Sequence, residues 1–216
     1  MRTEITFIFL VVTLLAGQLA RGQNDVSRVE GNTFLSPENP RIRVDVDREL
    51  HFVGTVPFAI GDAVKGNRYV FLQADSKKRV QRMFIIQQEG FLPTSNDTYK
   101  YSISNPAKLG NSDYQHSVIF DDTVARIQEE PGKEADLTQR FLAAHGYVSE
   151  PEVVMSRFAR PADPQHKHEI IFFCFENLSS YGHKLADFPE GSDTPEKLAI
   201  KQKVDDNCRK TFQVDQ

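Results

Sequence analysis

Six histidines and the acids beside them are the residues in this 216-residue chain best suited to chemistry. The densest group is His166-Lys167-His168-Glu169. On a strand, alternate residues point to one side, so His166 and His168 would face the same way. Both imidazoles could then reach one metal ion at ~2.0–2.1 Å, with His116 or Asp121 brought from another strand as a third ligand. The plainer alternative is a solvated loop running into a strand, because specific metal sites need three or four ligands. His116 lies between Tyr114 and Val118 on the apolar side of its own strand. An imidazole there can act as a general base, or it can be a hydrogen-bonded core residue. His116, His168 and Glu169 form the candidate catalytic set, provided that they converge in one cleft.

Charged and aromatic strand positions supply the candidates for ligand binding. Arg68, Arg82 and Glu89 belong to strands that are apolar on both faces. A charge turned into an enclosed face must be paired, and such a group could orient a ligand carboxylate. At a strand end the same side chain simply reaches water. Tyr69 and Phe71 share one face of their strand. Tyr99 and Tyr101 could line a pocket for a ring, against the alternative that such a stripe is core. Tyr69, Phe71, Arg82, Tyr99 and Tyr101 are therefore the candidate ligand-binding residues.

The chain contains no Gly-x-Ser-x-Gly elbow, Gly-x-Gly-x-x-Gly turn, phosphate loop, His-Glu-x-x-His or Cys-x-x-Cys. Common hydrolases, nucleotide enzymes, zinc proteases and thioredoxin-like proteins are thereby disfavoured, and no cofactor is expected. A site assembled from scattered residues is not addressed by that test.

The elements that must position these residues are read from periodicity. Residues 23–47 are polar and punctuated by Pro37 and Pro40, which suggests an extended N-terminal arm. From Leu50 to Ile60 apolar residues alternate with Glu49, His51 and Thr55, giving a strand with one apolar face. Arg68–Ala74 and Val80–Gln88 flank a charged turn and form a hairpin apolar on both faces, which must be covered on both. Tyr99–Ile103 and Tyr114–Phe120 alternate as two further strands. Asp122 can cap a short helix bearing Val124 and Ile127, and Pro131-Gly132 ends it. Leu137, Phe141 and Ala144 recur at helical spacing, with Gly146 just beyond. Val153–Arg160 and Lys167–Glu176 are strands, the second apolar on both faces and so central. Thr194 caps a closing helix with Pro195 at its first position, and Ile200, Val204 and Cys208 share one face.

These signals give an α+β fold. Its sheet would be curved and mostly antiparallel, with about seven strands, helices on one face and a C-terminal helix. The other face would be covered by the arm or by the sheet curling into a half-barrel around an apolar cavity. The element order resembles the lipocalin plan, which implies such a cavity. The chain lacks tryptophan, and so the Gly-x-Trp signature, and the helices at 122–145 interrupt the plan.

Met1–Gly22 reads as a secretory signal peptide. Arg2 precedes an apolar run from Ile5 to Ala16, and Ala20 and Gly22 suit the −3 and −1 positions of a cut before Gln23. The run is about twelve residues, short of the ~20 of a spanning helix. After cleavage no span is expected, and residues 48–216 would form one domain. Export permits a Cys174–Cys208 disulfide, the alternative being two packed thiols. Sequons occur at Asn96 and Asn177. The net charge of −4 argues against nonspecific nucleic-acid binding. The leading expectation is a secreted or periplasmic, non-enzymatic binding or accessory protein. Its partner would be a small apolar ligand or another extracytoplasmic protein. The alternatives are an extracytoplasmic enzyme using the His/Glu set and a surface module docking through a strand edge.

Overall fold

A computed structural model describes residues 26–104, 106–189 and 191–215. The leader read at Met1–Gly22 lies outside them. The fold is α+β, built from two antiparallel sheets, neither closed, and three α-helices among the described residues. The smaller sheet orders β1 (Arg28–Glu30), β2 (Thr33–Ser36), β3 (Ile42–Val46) and β11 (Phe212–Asp215). The larger orders β4 (His51–Ile60), β5 (Val64–Ala74), β6 (Val80–Phe91), β10 (His168–Asn177), β9 (Glu152–Pro161), β8 (Ser112–Asp122) and β7 (Pro106–Leu109). It is two meanders joined where β10 pairs with β6. The helices are α1 (Thr123–Glu129), α2 (Glu134–Ala144) and α3 (Pro195–Thr211).

Local chemistry sets the helix starts as the spacing predicts. The Asp122 carboxylate accepts from the Val124 and Ala125 N–H groups at 2.9 and 3.1 Å, and the Thr194 hydroxyl accepts from Lys197 at 3.2 Å. Ile200, Val204 and Cys208 turn inward along α3. Cys208 bonds Cys174 of β10, with the two Cα atoms 5.6 Å apart.

Strand register divides the residues of the large sheet between two faces. Cross-strand neighbours Ile86, Phe172, Phe158 and His116 share one face. The smaller sheet packs on it through Phe34, Val44 and Phe212, and Phe212 stacks on Phe84 at 4.6 Å. α3 covers the rest of this face, around Val154. Ile85, Phe173 and Met155 belong to the other face, where α2 docks Leu142. The central strands β6 and β10 are therefore buried on both sides, as their unbroken apolar runs require.

Three expectations are corrected. The arm at 23–47 is, over residues 28–46, three strands of the second sheet. Phe34 and Val44 are fully buried there, and the prolines sit in the β2–β3 connection. Of the two covers expected for the second face, the N-terminal segment supplies it, as this sheet, and the half-barrel curl does not. Tyr99–Ile103 is not a strand: it runs as irregular chain beside the β9–β10 loop, tied by the Tyr99 N–H to the His166 carbonyl at 2.8 Å. The short strands β7 and β11 were not anticipated.

One glycine fixes how closely α2 approaches the sheet. Gly54 has φ 143° beside an irregularity in the β4–β5 register, and a Cβ there would lie 2.7 Å from the Phe141 ring. Only glycine accommodates both that backbone and that ring.

Candidate functional site

The helix-covered face is only partly filled. α1 and α2 leave a cleft of about 430 Å³ above β6, β10 and β9, within the usual size of ligand pockets. Register makes its floor a gradient. At one end Glu89 and Glu169 are direct cross-strand neighbours. The next row carries Arg68, Gln87 and Ile171, then come Ile85, Phe173 and Arg157, then Met83, Phe175, Met155 and Ile119. The floor thus has its charges at one end and apolar residues next to them, because β5, β6, β9 and β10 place their charges in neighbouring rows; beyond the apolar rows Asp121, Arg126 and Glu130 also line the cleft.

A chain of hydrogen bonds organises the polar end. Arg68 donates from Nε to Gln87 Oε1 at 2.6 Å and from Nη1 to Thr138 of α2 at 3.0 Å. Gln87 passes its amide to Glu89 Oε2 at 2.5 Å, and the Tyr99 hydroxyl donates to Glu89 Oε1 at 2.8 Å. Arg157 approaches Glu169 only to 3.9 Å. Arg68 and Arg157 both lie over the Phe173 ring, 5.5 and 6.0 Å from its centroid. On the α1 side Arg126 and Asp121 form a two-pronged pair at 2.7 and 2.9 Å.

Burial governs the ionisation of these groups. It pushes the Glu169 carboxyl up to about 7; the Tyr101 hydroxyl and Arg157 oppose the rise, and the Glu89 carboxylate adds to it. Burial lowers the Arg68 guanidinium to about 10, with Glu134 and Glu89 resisting, so it remains a cation at neutral pH. Tyr99 and Tyr101 are raised, by burial first and then by Glu89 and Glu169 respectively.

The residues singled out in the sequence separate between the two faces. Glu169 lines the cleft; Tyr99 and Tyr101 flank its polar end, and Tyr101 and Glu169 share an adjoining hollow. Tyr69 and Phe71 face the smaller sheet: Tyr69 packs on Phe34 at 4.7 Å and Phe71 lies between Phe52 and Phe84. Arg82 is on that face too, donating to Thr211 at 2.8 Å and pairing with Glu176 at 3.8 Å.

His116 also belongs to the sheet-covered face. The catalytic set His116, His168 and Glu169 is not brought together, since Glu169 points to the helix side. His116 Nε2 lies 2.7 Å from Asp205 Oδ1 and 3.3 Å from the Ser156 hydroxyl, which itself donates to the same carboxylate at 2.9 Å. In a relay triad the acid and the hydroxyl take opposite ring nitrogens. Here one nitrogen faces both, and Ser156 is fully buried. This trio, completed by Arg209 on Asp205 Oδ2 at 2.9 Å, anchors α3 to the sheet. Burial would raise Asp205, but hydrogen bonds from His116, Arg209 and Ser156 hold it down at about 2.

The paired-histidine reading is corrected in the same way. His166 precedes the strand with φ 56°, and its Nδ1 lies 3.2 Å from the Tyr99 carbonyl. His168 bonds Asp163 at 2.6 Å, and its ring occupies the space beside Gly90 that a Cβ there would need. No group of three or more His, Cys, Asp or Glu among the described residues is placed to hold a metal ion. Asn177 is buried and donates to the Val80 carbonyl at 2.8 Å, whereas Asn96 is exposed.

Sequence reasoning missed Arg157, Gln87, Thr138 and the methionines as cleft residues. The signal for Arg157 was a charge within the apolar run Val153–Ala159, one face of which reads Met155, Arg157, Ala159. No family model matches the chain, and no curated protein or solved structure is similar to it.

Proposed function

We propose that this chain is an exported, non-enzymatic binding protein that holds a small, largely apolar ligand in the cleft under α1 and α2. The observation that carries the reading is the cleft itself: about 430 Å³, with Met83, Ile85, Met155, Phe173 and Phe175 on its floor and convergent polar groups around Arg68, Arg157 and Glu169. The Cys174–Cys208 disulfide suits an oxidising, extracytoplasmic compartment. Among the described residues no helix is long and apolar enough to cross a membrane.

The test is titration with an environment-sensitive apolar fluorophore. One molecule per chain should bind, and Ala135→Trp, on the helix wall of the cleft, should weaken binding at least about tenfold by filling it. Absent binding, or binding that Ala135→Trp leaves unchanged, would overturn the reading.

A second reading, an acid–base enzyme, is favoured by one observation, the Glu169 carboxyl pushed up to about 7 inside a cleft. It would use Glu169 with Glu89 rather than the histidines. Turnover whose pH dependence disappears in Glu169→Gln would support it.

A further inference from the structure

Two arginines that line the cleft hold donors committed to no protein group among the described residues, and these identify the ligand's head group. Both Glu89 oxygens already accept, one from Gln87 and one from Tyr99. The donors with unused capacity are those of Arg68 and Arg157. Arg68 commits Nε and one Nη1 hydrogen, and among the described residues it has no carboxylate within ion-pair distance. The Arg157 guanidinium makes no hydrogen bond among the described residues, its nearest carboxylate oxygen being 3.9 Å away on Glu169. Both cations are held over the one Phe173 ring, and both line the cleft. A cation–π contact holds a guanidinium in place without using its N–H groups.

Resting on the binding reading above, we propose that the ligand is an apolar carboxylic acid. Its carboxylate accepts from Arg68 and Arg157 above Phe173, and its hydrocarbon part lies on Met83, Ile85, Met155 and Phe175. Forked guanidinium donors match a carboxylate's two oxygens. A dianionic head such as a phosphate is disfavoured, because Glu89, Glu134 and Glu169 stand close enough to penalise a second charge. A cationic amine would meet the repulsion of Arg68 and Arg157, which line the same cleft. The apolar end of the gradient supplies affinity without choosing the head; the arginine end chooses it.

The experiment is calorimetric titration of the full chain, at pH 7 and below micelle-forming concentrations, with decanoate, decanol and decylamine. These probes share a tail and differ only in the head. Decanoate should bind about tenfold or more tightly than either of the others, as expected for charge-assisted hydrogen bonds in a sheltered site. Arg157→Met should remove most of that preference. Arg157→Lys, which keeps the charge and loses the fork, should fall between. Equal affinity for the three probes would overturn the head-group assignment and leave the apolar cleft standing. Tighter binding of decylamine would move the head-group site to Glu89 and Glu169 and overturn it as well. If none of the probes binds, the binding reading falls and takes the assignment with it. The wild-type comparison needs no variant, so it decides the matter even if Arg157→Met fails to fold.

Discussion

The two faces of the seven-stranded sheet bury similar residues to different ends. On the sheet-covered face, aromatic rings from both sheets interlock around Phe84, Phe172 and Phe212, and the disulfide ties α3 across them. The charge buried there is cancelled on the spot: Asp205 takes His116, Ser156 and Arg209 at once. On the helix-covered face, Arg68 and Arg157 keep unused donors and Glu169 is held partly neutral by burial, all around open space. On the face that holds the fold together the exception is Arg160, whose buried Nε has no hydrogen-bond partner among the described residues and whose guanidinium lies over the Tyr114 ring. Incomplete satisfaction beside a cavity marks the face that is available to a ligand.

Truncation should separate the faces most sharply. Phe172→Ala, in the packed core, should cost about 3–5 kcal/mol in urea denaturation. Phe175→Ala, which already borders the cleft, should cost about 1–2 kcal/mol, because less packing is lost. Equal costs would break the distinction. Next in size is the disulfide. Replacing Cys174 and Cys208 by serine should lower stability by about 2–4 kcal/mol, given their sequence separation of 34. The same substitution should leave the cleft's ligand affinity nearly unchanged.

The faces should also carry opposite pH signatures. Asp205 is depressed to about 2, so its contribution is present above the unfolded carboxyl value near 3.8 and is lost as pH falls towards 2. Asp205→Asn should therefore lower stability at neutral pH and flatten the acid limb of the profile. Glu169 is raised to about 7 from 4.5, so the folded state binds the extra proton between those values and stability declines as pH rises through that window. Glu169→Gln should flatten this second limb and stabilise the protein at pH 8 more than at pH 5. Denaturation midpoints from pH 3 to 8 measure both. A Glu169→Gln profile that still declines between pH 4.5 and 7 would contradict the account of the cleft.

How much of this was legible in the sequence follows from which signals are local. The double-sided hairpin and the Ile170–Phe175 run announce central strands because alternation and composition are properties of a few residues. Helix caps at Asp122 and Thr194 are equally local. The smaller sheet was hidden although Ile42, Val44 and Val46 alternate with Arg43 and Asp45, because the proline-marked connection drew the reading towards a loose arm. Tyr99 and Tyr101 alternate like a strand but lack a strand to pair with, and pairing is a tertiary fact. The candidate site was legible in fragments. Arg68, Glu89 and Glu169 were visible as charges on apolar strands. Their meeting depends on register between strands as far apart in sequence as β5 and β10, and no spacing within one strand reports that. His116 failed as a partner for Glu169 because the parity of β8 and β10 sends the two to opposite faces.

The division between the faces can be read directly by methyl NMR. Apart from Met1, the chain has two methionines, Met83 and Met155, and both line the cleft. Titrating isotope-labelled protein with decanoate should shift both methionine methyl signals to saturation at one ligand per chain. Val44 and Ile170, in the core between the sheets, should stay still. Methionine signals that do not move, or shifts spread equally over both faces, would contradict the assignment of the helix-covered face as the binding site.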